Sequence, residues 1–313
     1  MRKFGIEIEL NSFDQRDFKK NPLAKNEKPE GIDYLFDLLK YNNYKVELRG
    51  WQNNHNNNEW ICKPDASCGI ELCSPVSDSF EEIKSVIDLL SKDSKITIDD
   101  RCSLHVHVDV SDCIEKNNFL LDFEKSDKLG SIISWWIKCE AVFFDSFPTK
   151  RKNNKYCQCI GLSDILSVND VNTKKLINVL GQNKYYSLNT YHLSKIDRLS
   201  VEFRLAEGEA CLDSNLAVNW INFLINFIDC SIKKGMPSDL CWIDPVEVFN
   251  FLHLDNDIIL TKWFLNRLIT NINSDVNYWK KDFRKKSIIE IKKIIKNLHL
   301  DKEINSYLFQ KDK

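Results

Sequence analysis

Eight residues of this 313-residue chain stand at alternate positions in four short apolar segments, and their types define a chemistry. They are Glu7 and Glu9 in Phe4–Leu10, Glu71 in Gly69–Leu72, His105, His107 and Asp109 in Leu104–Val110, and Glu202 and Arg204 in Val201–Leu205. Strict alternation is the period of a β-strand, whose successive side chains point to opposite faces. With Ile, Val, Phe and Leu on the core side, four such strands in one sheet gather five carboxylates, two imidazoles, one guanidinium and no lysine on the other. So many acids repel one another unless a cation sits among them. Mg²⁺ takes oxygen ligands and bridges protein carboxylates to substrate phosphates, and arginine offers phosphate a planar fork. The pattern therefore reads as a metal-dependent enzyme. A lysine on that face would compete with the metal for the same carboxylates, so its absence belongs to the expectation.

Taken singly, each signal has a plainer reading. Glu7 and Glu9 alone are ordinary solvent-facing strand carboxylates, and a lone His-x-His pair is often a hydrogen-bonded sheet feature. Concurrence carries the argument. Two rivals stay open on the residues alone. One is a metal-dependent oxygenase or hydrolase using iron or zinc on His105, His107 and a carboxylate, which leaves Glu7, Glu9 and Arg204 without a task. The other is a non-catalytic binding module, which would be marked by loss of a ligand. The nine glycines form no Gly-x-x-x-x-Gly-Lys or Gly-x-Gly-x-x-Gly run. Any nucleotide phosphates would accordingly be met by metal ions and side chains, not by a backbone cradle.

The elements that must position these residues alternate irregularly, which predicts α+β rather than a doubly wound sheet. Helical spacing is predicted over 32–41, from a capping box at Ser79–Glu82 to about Leu90, from about Phe119 to Phe147, up to Gly181, over 215–232 and from Asp244-Pro245 onward. Lys150–Tyr156 reads as a basic loop. Beyond Gly235 no alternating strand is found. The chain there ends in an amphipathic run with Ile288, Ile291, Ile295 and Leu298 on one face, and Lys280–Lys296 holds eight Lys or Arg against two acids. Such a charge run is read first as the solvated side of a packed helix and second as a contact for nucleic acid or an acidic substrate. We accordingly divide the chain into a catalytic domain over 1–232 and a helical C-terminal extension over 236–313.

A net charge of −2 gives no overall footprint for nucleic acid. Eleven cysteines, odd in number and without Cys-x-x-Cys spacing, predict reduced thiols in a cytoplasm and argue against a zinc ribbon or disulfide framework. A strand that begins at Phe4 leaves no room for an apolar signal region, and no run approaches the ~20 apolar residues of a membrane span.

Five segments, in order, resemble the motifs of the amidoligases, a family of the carboxylate-amine ligase superfamily that includes glutamine synthetase and glutamate-cysteine ligase. They are Phe4–Leu10; Asp65-Ala66-Ser67 with Gly69–Pro75; Cys102–Val108; Tyr185 with Asn189; and Val201–Arg204. The resemblance covers about residues 1–232. It implies a glutamine-synthetase-like catalytic fold, with a mainly antiparallel sheet and flanking helices. It also implies ATP-dependent joining of a carboxylate to an amine through an acyl phosphate, with two or more Mg²⁺ ions. The metal ligands would be Glu7, His105 and Glu202 near the phosphates and Glu9 with Glu71 near the acceptor. Glu71, Glu202 and Arg204 would serve the chemistry, and Arg204 would hold the transferred phosphate. The nucleotide would meet His107, Arg204, Tyr185 and Asn189, and the substrate Asp65 and Ser67. Substrates would be small-molecule or peptide acids and amines. Two departures stand out: Ser103 replaces the usual glycine before the Leu-His pair, and Lys184 replaces the arginine before the tyrosine.

Overall fold

The alternating segments do form strands, and their apolar positions are dry: Phe4, Ile6, Ile8, Leu10, Ile70, Leu72, Leu104, Val106, Val108, Phe203 and Leu205 are all buried. Each such side chain contributes about 1.5–3 kcal/mol relative to exposure, which fixes which face of the sheet turns inward. The computed structural model describes residues 1–14, 27–51, 58–117, 120–122, 127–152, 154–160, 173–191, 193, 199–271 and 281–300. Its strands are β1 (Phe4–Asn11), β2 (Val46–Leu48), β3 (Trp60–Asp65), β4 (Gly69–Cys73), β5 (Ser103–Asp109), β6 (Glu115–Asn117), β7 (Leu120–Asp122), β8 (Leu188–Asn189) and β9 (Ser200–Glu207). The helices are α1 (Ile32–Tyr41), α2 (Glu81–Lys92), α3 (Asp127–Asp145), α4 (Thr149–Lys152), α5 (Thr173–Leu180), α6 (Ser214–Lys234), α7 (Pro245–Phe251), α8 (Ile258–Asn271) and α9 (Lys281–Asn297). None of the helices in the described residues is long and apolar enough to cross a membrane.

The chain divides into two compact units, Met1–Asp109 with Glu202–Ile221, and Val110–Val201 with Asn222–Lys313. In the first, six strands of the sheet run in the order β2-β3-β4-β1-β5-β9. Strand β1 is antiparallel to both β4 and β5, and β3 is antiparallel to β4, whereas β2 and β3 are parallel. This mainly antiparallel sheet places β1 in the middle, with Glu7 opposite Cys73 on one side and His105 on the other. Strand β3 departs from the expected elements, because Pro64 lacks a ladder donor. It is tolerated because β2 pairs only with Trp60, Ile61 and Cys62, so no partner on that side asks for the missing N–H. Helix α2 buries Ile83, Val86, Ile87 and Leu90, one stripe at helical spacing. Its predicted capping box is not formed. Phe80 is the N-cap without a side-chain bond, and Glu82 instead accepts from Trp60 Nε1 at 2.7 Å, a tertiary contact that takes the capping carboxylate away.

In the second unit, the helix predicted from Phe119 begins only at Asp127. The antiparallel pair β6–β7 occupies 115–122, while residues 118, 119 and 123–126 lie outside the described residues. The start of the basic loop is helical, as α4. Helix α3 is buried from Leu129 to Asp145, and its Trp136 and Phe143 meet Phe227 edge-on at 5.5 and 5.6 Å. Helix α7 opens with a complete capping box, Asp244 with Glu247, and Pro245 in its first turn. Helix α9 packs against α7 and buries Ile291 and Ile295 of the predicted apolar face.

Candidate metal and phosphate site

The polar positions of β1, β3, β4, β5 and β9 share one face in the first unit, and that face is largely shielded from water. Glu9, Glu71, His105 and Glu202 are buried, and Glu7 and His107 half-buried. Two pairs of neighbouring strands, β1–β5 and β5–β9, bring the charges together. Glu7 is touched by both imidazoles, His105 Nδ1 at 3.3 Å and His107 Nε2 at 3.2 Å. Glu202 lies 3.5 Å from His105 Nδ1 and is ion-paired to the Arg204 guanidinium two residues along the same strand face. Ser103 donates to Glu9 at 2.5 Å and sits 2.8 Å from His105 Nε2. The departure from glycine at 103 thus places a hydroxyl between an acid and an imidazole of the site.

These contacts set protonation. Burial opposes ionisation of Glu7, but the charge of His107 and the hydrogen bonds from His105 and His107 outweigh it, and the carboxyl is held well below the usual carboxylate range. Burial also opposes ionisation of Glu202, yet Arg204 and His107 bring it down to about 2. Glu9 goes the other way: burial, with Asp65 nearby, pushes it well above the usual range. Burial and the charge of Glu7 raise Glu71 to about 7. Burial and Arg204 lower His105, whereas in His107 the effect of burial is outweighed by Glu7 and the imidazole is raised.

Three sets of side chains on this face each offer ligand atoms lying within 4.8 Å of one another: Glu7, His107 and Glu202; Glu7, Glu71 and Cys73; and Glu9, Asp65 and Cys68. The first set, two ionised carboxylates and an imidazole beside the ion-paired Arg204 guanidinium, suits a hard divalent cation. Residues 1–228 match the model of a family described as "Putative amidoligase enzyme". The chain belongs to the amidoligase family. No curated protein matches the sequence. Among solved structures, a bifunctional glutathione synthetase from Pasteurella multocida is similar over 98% of this chain and 50% of that one, at 8% identity and a TM-score of 0.41. The chain therefore spans about half the length of that structure.

Membership of the amidoligases supports a carboxylate-amine ligase kind of function. Glu7, Glu9, Glu71, His105, His107, Glu202 and Arg204 share the face described above. Asp65 is there too, but much of its work is local: its Oδ1 accepts from the backbone of Ser67 at 2.6 Å and of Cys68 at 3.0 Å, as well as from the Ser67 hydroxyl. These bonds close the β3–β4 turn, whose Gly69 has φ 116°, a backbone region that favours glycine. Asp109 lies at the end of β5, with its backbone N–H bonded to Lys3 O at 2.9 Å. Tyr185 and Asn189 belong to the second unit. There Asn189 Oδ1 accepts from Tyr191 N at 2.8 Å, and the Tyr185 ring meets Tyr156 edge-on at 5.4 Å with Lys184 Nζ 5.2 Å above it.

One expectation is overturned. The polar face does hold a lysine: Lys63 stands opposite Glu71 across β3–β4, with Nζ 2.7 Å from its Oε1. Sequence parity could have found it, since Ile61, Lys63 and Asp65 alternate with Trp60, Cys62 and Pro64. The proline hides the segment, because it argues against a strand there.

Proposed function

We propose that this amidoligase is an ATP- and Mg²⁺-dependent enzyme that joins a carboxylate to an amine through an acyl phosphate. The observation that supports this best is the convergence of Glu7, His107 and Glu202 beside Arg204 in a chain of this family. Mg²⁺ held by that set would neutralise terminal phosphate charge and polarise the transferring phosphoryl group. Glu202 would fix the Arg204 fork, which would donate to the phosphoryl oxygens. A substrate carboxylate oxygen attacks the γ-phosphorus and ADP leaves; the amine nitrogen then attacks the acyl carbon, losing a proton as orthophosphate departs. His105 Nδ1, 3.3 Å from Glu7 Oε2, donates to that carboxylate and keeps Glu7 aimed. Glu9, Glu71, Asp65 and Ser67 would line the acceptor side. Tyr185 and Asn189 would meet the nucleotide.

The same reading takes the sheet as glutamine-synthetase-like, residues 1–232 as catalytic and 236–313 as a helical extension. Eleven cysteines, odd in number and without Cys-x-x-Cys spacing, support a reducing, cytoplasmic setting. The iron or zinc alternative wants both imidazoles on one ion, whereas the His107 set pairs a single imidazole with two carboxylates. Hydroxylamine, offered as the amine with a panel of carboxylic acids, should give a hydroxamate together with ADP and orthophosphate. Formation should need Mg²⁺ and fall by on the order of 10³-fold in Glu202→Gln, as loss of several kcal/mol of charge stabilisation requires, with circular dichroism unchanged. AMP with pyrophosphate, or hydroxamate without ATP, would refute it.

A further inference from the structure

Lys63 gives the site a cation of its own. Its side chain is 13% exposed and that of Glu71 10%, and the two stand opposite each other in the β3–β4 register. Glu71, Glu7 and Cys73 form one of the three sets whose ligand atoms lie within 4.8 Å of one another, and the Lys63 ammonium interacts electrostatically with all three of its residues. We infer that Lys63 is a resident counter-charge standing where a further divalent ion would otherwise bind between Glu7, Glu71 and Cys73, so that the site takes up one ion fewer than its acids could hold. This rests on the metal-dependent reading above.

Three observations carry it. The ammonium is within hydrogen-bond distance of Glu71, and an ion entering there has to displace it and leave a shielded positive charge without that partner, which is costly in a low-dielectric site. The strand cannot easily carry Lys63 away, because a one-residue slip would turn Ile61 and Lys63 to the opposite face, and the Asp65 turn bonds pin the register. The Cys73 thiol, finally, donates to Glu71 at 3.0 Å, so Glu71 Oε1 already receives a thiol and an ammonium. Lys63 is thereby a positioning residue: it holds the Glu71 side chain against β3, while the Glu7–His107–Glu202 set remains for an exchangeable ion.

Equilibrium dialysis of the full chain against Mn²⁺ alone measures the number of ions per chain. Lys63→Met should bind one ion more than wild type, and Lys63→Arg the same number as wild type. Equal uptake by wild type and Lys63→Met overturns the role of Lys63 but leaves metal binding intact. Uptake by neither removes the metal-dependent reading and this inference with it. Should Lys63→Met fail to fold, the wild type answers alone, through reductive methylation followed by mass spectrometry with and without saturating Mn²⁺. Lys63 should be methylated far more slowly than exposed Lys293 in both conditions. A rise of Lys63 to the Lys293 rate on adding Mn²⁺ would show that the ion displaces it, and would overturn the inference.

Discussion

Arg204 and Glu202 occupy one strand face two residues apart, and that spacing lets a single β-strand supply both an acid for a cation and a fork for a phosphate. Arginine is suited to the second task because its planar guanidinium makes two parallel hydrogen bonds, whereas a lysine presents a point charge. Arg204→Lys keeps the ion pair with Glu202 but loses that geometry. We expect ATP turnover to drop by about 10²-fold, the scale of losing a preorganised charge-stabilising donor, with an unchanged unfolding midpoint. Steady-state turnover and thermal unfolding on one preparation check this; near-normal turnover would make Arg204 only the structural partner of Glu202. Lys63 is the instructive contrast, a charge on the same face committed to one acid.

At the scale of elements, α3 brings an acid into an enclosed position of the second unit. Glu140 receives the Ile160 N–H at 2.9 and 3.0 Å, the Cys159 thiol at 2.9 Å and the Ser187 hydroxyl, so one carboxyl ties the helix to two later segments of the chain. Burial dominates these donors and raises its pKa from 4.5 to about 7. A folded state that holds the proton more tightly than the unfolded chain gains stability in full below pH 4.5 and loses it as the pH rises through 7. That contribution is on the order of 3 kcal/mol across the interval, at 1.36 kcal/mol per pKa unit. Glu140→Gln should therefore remove this slope. Urea unfolding of both proteins at steps from about pH 5 to 8 should show the wild type losing stability relative to the variant as pH rises; parallel curves would show that Glu140 does not titrate there.

For the whole molecule, the family match ends at residue 228, and no strand is found among the described residues after β9. The regular elements beyond β9 are helices, and α9 contributes two fully buried isoleucines, Ile291 and Ile295. Deletion from residue 281 to the end should therefore act on stability. Loss of two such side chains from a packed interface is worth about 3–6 kcal/mol, enough to lower the unfolding midpoint by several degrees or more. Turnover per folded molecule should persist, because the ligand set lies on strands of the first unit. Calorimetry with an ATP-turnover assay tests this: an equally stable truncation that has lost substrate or partner binding would give the basic helix a recognition role instead.

Period-two alternation determined, from the sequence alone, that β1, β4, β5 and β9 would be strands with their acids and histidines on one side, because a buried apolar face tolerates no slip of one residue. The helical stripes of α1 and α2 and the Asp244 cap were equally local, and so equally legible. Tertiary structure decided what depends on partners distant in the chain. It put β1 between β4 and β5, so that Glu7 meets both imidazoles; it drew Glu82 from its cap to Trp60; and it admitted Pro64 to a strand because β2 ends before reaching it. Lys63 entered the polar face by that route. Neighbouring residues fix the period and hence the face, but only the pairing of strands fixes which charges become neighbours, and with them each group's protonation.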